Sequence, residues 1–233
     1  MTVPSAGVSI RRATPADTGP LVSVLVDAFF DGPVADWLVP DHDDRRAVYR
    51  RYFALVLRHG LAHGHVDTTT DRSAVAIWYA RPEPPPSAPP EHQAALEAAT
   101  GPYAPKFTLL EAMFDAFHPR EPHHYLAYVA VSPDEQGSGV GTALLDSYHR
   151  RLDALGLPAY LEASNMRNRR LYLRLGYRAG PPLILPISGP MIWRMWRGPA
   201  GAAGPAAFPD TEQRPPRRTQ PAAASRAISA RGA

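Results

Sequence analysis

The feature that most constrains the fold of this chain is a set of glycines at alternate positions in Gln136-Gly-Ser-Gly-Val-Gly-Thr142. Before it stands an apolar run, Tyr125 to Val131, whose β-branched, aromatic and small residues favour a buried strand. After it, apolar residues recur at three- and four-residue steps from Val140 to Leu155, which predicts one buried face of a helix. The sequence therefore predicts a strand, a glycine loop and a helix in direct succession.

A glycine loop at the start of a helix is suited to binding an anion. The backbone N–H groups there have no partner within the helix, and the helix macrodipole adds partial positive charge. We therefore expect a phosphate or pyrophosphate ligand. The spacing differs both from the G-x-G-x-x-G of dinucleotide-binding folds and from the G-x-x-x-x-G-K of P-loops, and no lysine follows the glycines.

Composition limits the alternatives. A chain of 233 residues can bury the core of one ordinary domain, and its lack of cysteine excludes disulfides, thiolate metal sites and a cysteine nucleophile. The lack of cysteine favours a cytoplasmic protein, and we expect it to be soluble because no stretch approaches the roughly 20 apolar residues of a membrane helix. Although the net charge is +3, no basic stripe with interleaved aromatic residues indicates nucleic-acid binding.

The first half of the chain alternates between strand and helix patterns. The order we predict is a strand at 8–12, a helix capped by Thr14, a helix at 33–38, a helix from Asp43 or Asp44 that ends at Gly60, strands at 63–67 and 74–79, a proline-rich connection at 81–90, and helices at 91–99 and 106–117.

The second half continues past the glycine loop with shorter elements. We predict a strand at 158–162, a polar loop at 164–168, a brief helix at 169–175, and strands at 177–185 and 191–196. These elements place one domain at 1–197. From 198 to 233 the composition turns to Ala, Pro, Gly and Arg with few large apolar residues, so we expect a disordered tail.

Two segments resemble the GNAT N-acetyltransferase superfamily. The loop Gln136-x-x-Gly139-x-Gly141 matches its pyrophosphate loop, and Asn165, Tyr172, Gly176 and Tyr177 match its second motif. The resemblance implies an α/β GNAT fold, with a mixed and mostly antiparallel sheet of about seven strands flanked by helices.

Within that superfamily the chain is similar to the puromycin N-acetyltransferase group of antibiotic-modifying enzymes, for example at Pro119-Arg-Glu-Pro122 and Val131-Ser-Pro-Asp134. It departs from the group at Gly32, where an aromatic residue would be expected. The resemblance therefore supports a prediction of the reaction more strongly than a prediction of the acceptor.

The resemblance implies that acetyl-CoA is the co-substrate. Backbone groups of the central strand would bind its pantetheine arm, the glycine loop its pyrophosphate, and two asparagines its amides. These predicted contacts are Val129, Ala130, Val131, Gln136, Gly137, Ser138, Gly139, Val140, Gly141, Thr142, Asn165, Asn168 and Tyr172. Asn165 could equally be a helix cap, and Asn168 stands where the family usually has alanine.

Two residues are the predicted catalytic groups. Tyr172 matches the family's general acid, and its ordinary pKa near 10 suits protonation of a thiolate. Glu162, at the end of a strand beside the predicted cleft, is the expected base. The alternative for each of these two residues is a structural role. His123 and His124, which precede the central strand, are the next candidates for the base or for a polar wall of the pocket. They could equally be surface residues, and the same alternatives apply to Glu121.

For the acceptor we expect a primary amine of a small molecule, in a pocket formed by Phe30 to Trp37 and the helices before Tyr125. One or two aromatic residues would line it. The alternatives are transfer to a protein N-terminus, a lysine or a polyamine, and a non-catalytic CoA-binding regulatory module. The spacing of His59, His63 and His65 does not favour a metal site, and the chain would act as a monomer or a homodimer.

Overall fold

The computed structural model describes residues 8–82, 91–201 and 208–209. Their elements, in chain order, are β1 (Ile10–Arg12), α1 (Thr18–Phe29), α2 (Pro33–Leu38), α3 (His42–His63), β2 (His65–Thr69), β3 (Ala74–Arg81), α4 (Glu91–Thr100), α5 (Ala104–Phe117), β4 (His123–Val131), α6 (Val140–Leu155), β5 (Ala159–Ala163), α7 (Met166–Arg174), β6 (Arg178–Ile184) and β7 (Met191–Arg197). Most of the proline-rich connection and most of the predicted tail lie outside the described residues.

The described strands form one seven-stranded sheet in the order β1-β2-β3-β4-β5-β7-β6. Only the pairing of β4 with β5 is parallel, while every other neighbouring pair is antiparallel. The α/β architecture predicted from the sequence, with a mixed and mostly antiparallel sheet of about seven strands between helices, is confirmed.

The sheet separates two hydrophobic clusters, as the alternation along β3 shows. Val75 and Ile77 belong to the cluster with helices α1, α2, α3 and α5, whereas Ala76 and Trp78 belong to the cluster with α6 and α7. Successive side chains of a strand point to opposite faces, so each face of the sheet has its own layer of helices.

One buried arginine connects the first three helices. Arg45 is fully buried and donates to the backbone oxygens of Val39 at 2.8 Å and Phe30 at 2.9 Å, and to Asp36 Oδ1 at 2.9 Å. A buried guanidinium is stable only when its donors are satisfied in this way. These contacts fix α1, α2 and α3 against one another on one side of the cavity described below.

Helix α3 differs from its prediction at both ends. Its N-cap is Asp41, whose Oδ1 accepts from the backbone of Asp43 at 2.9 Å, so the helix starts at His42. It also continues through Gly60 to His63. Gly60 lies inside the helix. An added Cβ there would lie 2.9 Å from Ile77 Cγ2, so glycine is needed at this position for close packing on the sheet.

A short part of the predicted tail is described. The ring of Phe208 lies beside Gly180 on β6, and its centroid lies 6.4 Å from the centroid of the Tyr160 ring. The guanidinium of Arg194 lies 5.3 Å from the centroid of the Phe208 ring. This residue therefore contacts the sheet on the face that also carries α5.

Candidate active site

The candidate site begins where strands β4 and β5 separate. The two strands pair only at His124↔Ala159 and Tyr125↔Tyr160, and no ladder pairs follow beyond these. On its other side, β4 slips in register against β3 after Ile77, which marks a β-bulge. The edge of β4 that borders the gap therefore offers backbone donors and acceptors to an extended ligand.

A cavity of about 940 Å³ passes through this gap and reaches both faces of the sheet. On one face it is lined by the glycine loop and α7, and on the other by α1, α3 and α5. Val129, Ala130 and Val131 of β4, the predicted pantetheine contacts, lie along its wall. The cavity thus joins the predicted cofactor side to the predicted acceptor side.

The glycine loop has the conformation that an anion site needs. Gly137 and Gly139 have φ values of +89° and +94°, which residues with a side chain rarely adopt. Gly139 is the N-cap of α6, so the N–H groups of Val140, Gly141 and Thr142 in its first turn have no partner within the helix.

The glycines beside these N–H groups line the cavity. A Cβ added at Gly139 would have no neighbour within 4 Å, and one at Gly141 would lie 3.3 Å from Val131 Cγ2. Gln136 braces the loop, since its Nε2 donates to Val131 O at 3.2 Å and its Oε1 accepts from Arg167 at 3.4 Å. Ser138 donates to Glu135 O at 2.6 Å, so its hydroxyl also holds the loop.

The segment after β5 is helical earlier than predicted. Helix α7 begins at Met166 because Asn165 caps it, with Asn165 Oδ1 accepting from the backbone N–H of Asn168 at 2.8 Å. The predicted polar loop at 164–168 was therefore wrong over its second half. Asn165, Asn168 and Tyr172 all line the cavity. The capping role occupies the side-chain oxygen of Asn165 and leaves its amide N–H₂ group for a ligand.

Tyr172 lies on the cofactor face of the sheet. Its side chain is 5% exposed and belongs to the cluster with α6 and α7, yet it lines the cavity. Burial raises the pKa of Tyr172 above its ordinary value. The phenol therefore stays protonated at neutral pH and can act as a proton donor.

Glu162 lies on the opposite face of the sheet at the same gap. It follows Tyr160 by two positions on β5, so both side chains point to the α5 side, while Leu161 packs with α6 and α7. Burial raises the pKa of Glu162 to about 7, and the Tyr125 and Tyr160 hydroxyls and the charges of Arg81 and Arg194 oppose part of that rise. A carboxylate with a pKa near neutrality is suited to general-base catalysis.

The histidines considered as alternative bases lie away from the cavity lining. His123 is buried and its Nδ1 lies 2.7 Å from Glu121 O, while His124 Nδ1 lies 3.0 Å from the hydroxyl of Tyr148 on the other face. Burial lowers the pKa of both histidines, to about 4 for His123. Glu121 itself is exposed.

His118 is a cavity residue that sequence reasoning missed. It directly follows α5, and its Nδ1 lies 4.0 Å from Glu162 Oε1. The two residues are 44 positions apart (162 minus 118) and are brought together by sheet pairing. A single histidine after an apolar helix gives no signal of that contact in the sequence.

The acceptor side of the cavity is walled by more aromatic residues than predicted. Tyr52 and Tyr128 share a hydroxyl–hydroxyl hydrogen bond of 2.6 Å. The aromatic residues that line the cavity on this side include Phe29, Tyr49, Phe53, Tyr79, Phe107 and Phe114. From the predicted pocket segment, residues 31–35 contribute, whereas Trp37 instead packs beneath Lys106 and donates to Ile187 O at 3.3 Å.

Two carboxylates reach the same chamber. Glu111 and Asp115, one turn apart on α5, line the cavity, and burial raises the pKa of both side chains. Glu111 Oε2 lies 2.8 Å from His92 Nε2, and the positive charge of Arg81 opposes part of the rise in the pKa of Asp115. The described residues contain no group of three or more His, Cys, Asp or Glu side chains that could hold a metal ion.

Comparisons with known proteins agree with this geometry. The family model described as "Acetyltransferase (GNAT) family" matches residues 107–177, the segment from α5 through the glycine loop to α7. A crystal structure of histone acetyltransferase HPA2 and related acetyltransferase from Corynebacterium glutamicum is 31% identical, with a TM-score of 0.64 over 82% of this chain and 96% of that one.

Two further relatives are more distant. An uncharacterized N-acetyltransferase of Schizosaccharomyces pombe is 26% identical over 189 residues, which cover 73% of this chain and 74% of the relative. Arylalkylamine N-acetyltransferase 2 from Aedes aegypti, at 12% identity and a TM-score of 0.55 over 81% of this chain and 97% of that one, shares the fold alone.

The fold and these relatives show that the chain belongs to the GNAT acetyltransferase family. It is therefore an N-acetyltransferase enzyme that uses acetyl-CoA as its co-substrate. None of its described helices is long and apolar enough to cross a membrane.

Proposed function

We propose that this enzyme transfers an acetyl group from acetyl-CoA directly to the primary amine of a small molecule, of the antibiotic or xenobiotic type, in a ternary complex. The observation that carries the proposal is one cavity that connects the glycine loop, the pair Glu162 and Tyr172, and a chamber walled by aromatic side chains. A chamber walled by aromatic side chains favours a compact acceptor with an apolar or aromatic body over an extended peptide.

The binding of acetyl-CoA uses the residues of the cofactor face. The first-turn N–H groups of α6 and the loop N–H groups would hold the pyrophosphate, with Arg167 beside them. The open edge of β4 at Val129, Ala130 and Val131 would pair with the amides of the pantetheine arm. The acetyl thioester would then lie in the gap between β4 and β5.

Glu162 would act on the incoming amine. An amine enters as an ammonium ion, and its nitrogen attacks only after one proton has left. Glu162 takes that proton, directly or through a water molecule, and later releases it to solvent. Because this carboxyl faces the α5 side of the gap, the amine would approach from the aromatic chamber.

Tyr172 would act on the leaving thiolate from the other face. The nitrogen forms a bond to the carbonyl carbon, the resulting oxyanion collapses, and the C–S bond breaks. The phenol gives its proton to the departing sulfur, and the second proton of the amine nitrogen restores the phenol through solvent. The net products are the acetamide, CoA and one proton.

An acetylation screen tests the proposed acceptor class. Purified enzyme and acetyl-CoA are incubated with arylalkylamines, aminonucleosides, linear polyamines and a peptide with a free N-terminus, and released thiol is measured with a colorimetric reagent. We expect the highest kcat/KM among the compact aromatic amines.

Two results would contradict the proposal. A clear preference for the peptide would indicate a protein acceptor. Tight acetyl-CoA binding in calorimetry with no thiol release from any amine would indicate a non-catalytic module.

A further inference from the structure

A row of three polar side chains ends at the carboxyl of Glu162. His123 Nδ1 lies 2.7 Å from the backbone oxygen of Glu121, and His123 Nε2 lies 3.0 Å from His118 Nε2. His118 Nδ1 then lies 4.0 Å from Glu162 Oε1. The described residues provide no hydrogen-bond partner for that buried oxygen.

The first contact of the row fixes the protons of the others. A backbone carbonyl only accepts, so the proton on His123 must be on Nδ1. In the neutral ring, His123 Nε2 is then an acceptor, and the 3.0 Å contact requires His118 Nε2 to be the donor. His118 consequently presents an unprotonated Nδ1 to Glu162.

Both imidazoles are neutral in this setting. Burial lowers the pKa of His118 to about 3 and that of His123 to about 4, and Arg81 adds to both shifts. Two neutral rings can therefore keep these tautomers at neutral pH.

We propose that His118, locked in this tautomer by His123, is a positioning residue that accepts a hydrogen bond from the protonated form of Glu162. When Glu162 is a carboxylate, an acceptor faces an acceptor, which matches the separation of 4.0 Å. When the carboxyl takes a proton from the amine, an O–H···N hydrogen bond can form and hold that proton on Oε1. The inference rests on the proposed role of Glu162 as the base.

The proton balance of this arrangement is simple. The amine loses one proton, Glu162 Oε1 gains it, and His118 keeps its own proton on Nε2. No proton passes along the row, because a second proton on His123 would create a buried cation. The row therefore stores the proton on Glu162 until water removes it.

Several other charged and polar groups around Glu162 also affect its pKa. The groups that face this carboxyl or the His118 ring are Tyr125 on β4, Tyr160 on β5, Arg81 on β3, Arg194 on β7 and His123. The two tyrosines and the two arginines favour the carboxylate, whereas under this proposal the Nδ1 lone pair of His118 favours the acid. Removal of that lone pair should therefore lower the pKa of Glu162.

The tautomers can be observed without any substrate. Two-dimensional ¹⁵N–¹H spectra of the histidine rings at pH 7 distinguish protonated from bare ring nitrogens. We expect His118 to be protonated only on Nε2 and His123 only on Nδ1. A proton on His118 Nδ1, or a charged His118 ring, would overturn the inference whether or not the protein acetylates an amine.

The pH dependence of kcat/KM tests the effect on the base. His118→Phe removes the acceptor, and the acidic limb should move down by about one pH unit. His118→Asn can place an amide oxygen where Nδ1 stands, and should restore most of the wild-type limb. An unchanged limb in His118→Phe would overturn the inference, as would a loss of kcat/KM that is equal at every pH.

His123 provides the coupling test. In His123→Phe the ring of His118 is free to protonate Nδ1 and donate to the carboxylate, so the limb should move further down than in His118→Phe. The double variant should match His118→Phe alone. His124→Phe is the matched control, since His124 is on the same strand but bonds to Tyr148 on the other face, and its limb should not move. Additive shifts in the double variant would contradict the coupling.

Discussion

At the residue scale, burial shifts the pKa values of the two proposed catalytic groups in a way that suits them to opposite tasks. The same loss of solvent raises the pKa of both Glu162 and Tyr172. For the carboxyl this brings the pKa close to 7, where it can exchange a proton. For the phenol it keeps the proton in place until a strong base such as a thiolate forms. Tyr172 could be predicted from a motif match and Glu162 from its position at the end of a strand beside the cleft, but the burial that shifts their pKa values could not.

Glu162 should determine the acidic limb of the activity. With a pKa of about 7, kcat/KM should rise roughly tenfold per pH unit below pH 7 and reach a plateau above it. Glu162→Gln should lower kcat/KM by about 100- to 10,000-fold and remove that limb. Steady-state kinetics from pH 5.5 to 9 measure both effects, and Glu121→Gln, at an exposed carboxyl, is the control. A limb that persists in Glu162→Gln would assign the base elsewhere.

The same carboxyl should make stability depend on pH. Its pKa in the folded protein lies above the ordinary 4.5, so the native state holds more protons than the unfolded state between these values. The free energy of unfolding contributed by Glu162 is therefore complete below pH 4.5 and is lost as the pH rises through about 7. The full effect is of the order of 3 kcal/mol.

Urea unfolding of the wild type and Glu162→Gln at pH 5 and pH 8 measures this difference. The variant lacks the titration, so it should gain stability relative to the wild type as the pH rises. A constant difference between the two proteins would show that Glu162 has an ordinary pKa in the fold.

Tyr172→Phe should separate chemistry from binding. The loss of the phenol proton should reduce kcat by about 100-fold or more, while the affinity for acetyl-CoA in calorimetry should change little. Tyr177→Phe is a suitable control. The Tyr177 ring meets that of Tyr172 edge to face, but its hydroxyl forms a hydrogen bond of 2.9 Å with His149 Nε2 and does not line the cavity. Unchanged kcat in Tyr172→Phe would remove it from the role of acid.

At the scale of elements, the sequence predicted the order of helices and strands but not all of their ends. Helix α7 starts early because a side chain, Asn165, supplies its cap, and the same asparagine could be interpreted as a ligand of the cofactor. Helix α3 continues past Gly60, because the glycine is required for close packing on the sheet and does not mark a helix end. In both places a local signal had two physical explanations, and only the neighbours in space distinguish them.

Gly60→Ala tests the packing explanation. Alanine is the better helix former by about 1 kcal/mol, yet its Cβ would lie 2.9 Å from Ile77 Cγ2 and 3.2 Å from Val66 Cγ2, both on buried and stiff β-branched residues. We expect a net destabilisation of about 1–2 kcal/mol in urea unfolding. Gly19→Ala in α1, where nothing lies within 4 Å, should be neutral or stabilising. Stabilisation by Gly60→Ala would contradict the packing role.

At the scale of the whole molecule, the gap between β4 and β5 connects the parts of the candidate site on the two faces of the sheet. Glu162 is on the face with α5, and Tyr172 packs in the cluster of the other face, and the cavity that passes through the gap is lined by both. The sequence predicts Tyr172 from its motif and Glu162 from its place at the end of a strand. It does not predict that parallel pairing stops after Tyr125, nor that α5 delivers His118 to the gap, because both depend on contacts between distant segments.

Acetyl-CoA should stabilise the whole domain by filling this gap. A ligand at 100 times its Kd adds about 2.7 kcal/mol to the free energy of unfolding, which corresponds to a rise in Tm of about 5–10 °C for a domain of this size. Gly139→Ala should weaken this response, since Gly139 has a φ of +94° at the start of α6 and a side chain there strains the loop that presents the N–H groups.

Gly156→Ala is the matched variant for that experiment. Gly156 has a φ of +67° at the other end of the same helix, and no atom lies within 4 Å of an added Cβ at either glycine. Both variants should therefore lose a similar amount of stability without ligand, about 1–2 kcal/mol. Only Gly139→Ala should also lose the shift on addition of acetyl-CoA in thermal unfolding. Equal ligand shifts in the two variants would show that the pyrophosphate is bound elsewhere, because backbone strain alone affects both ends of α6 alike.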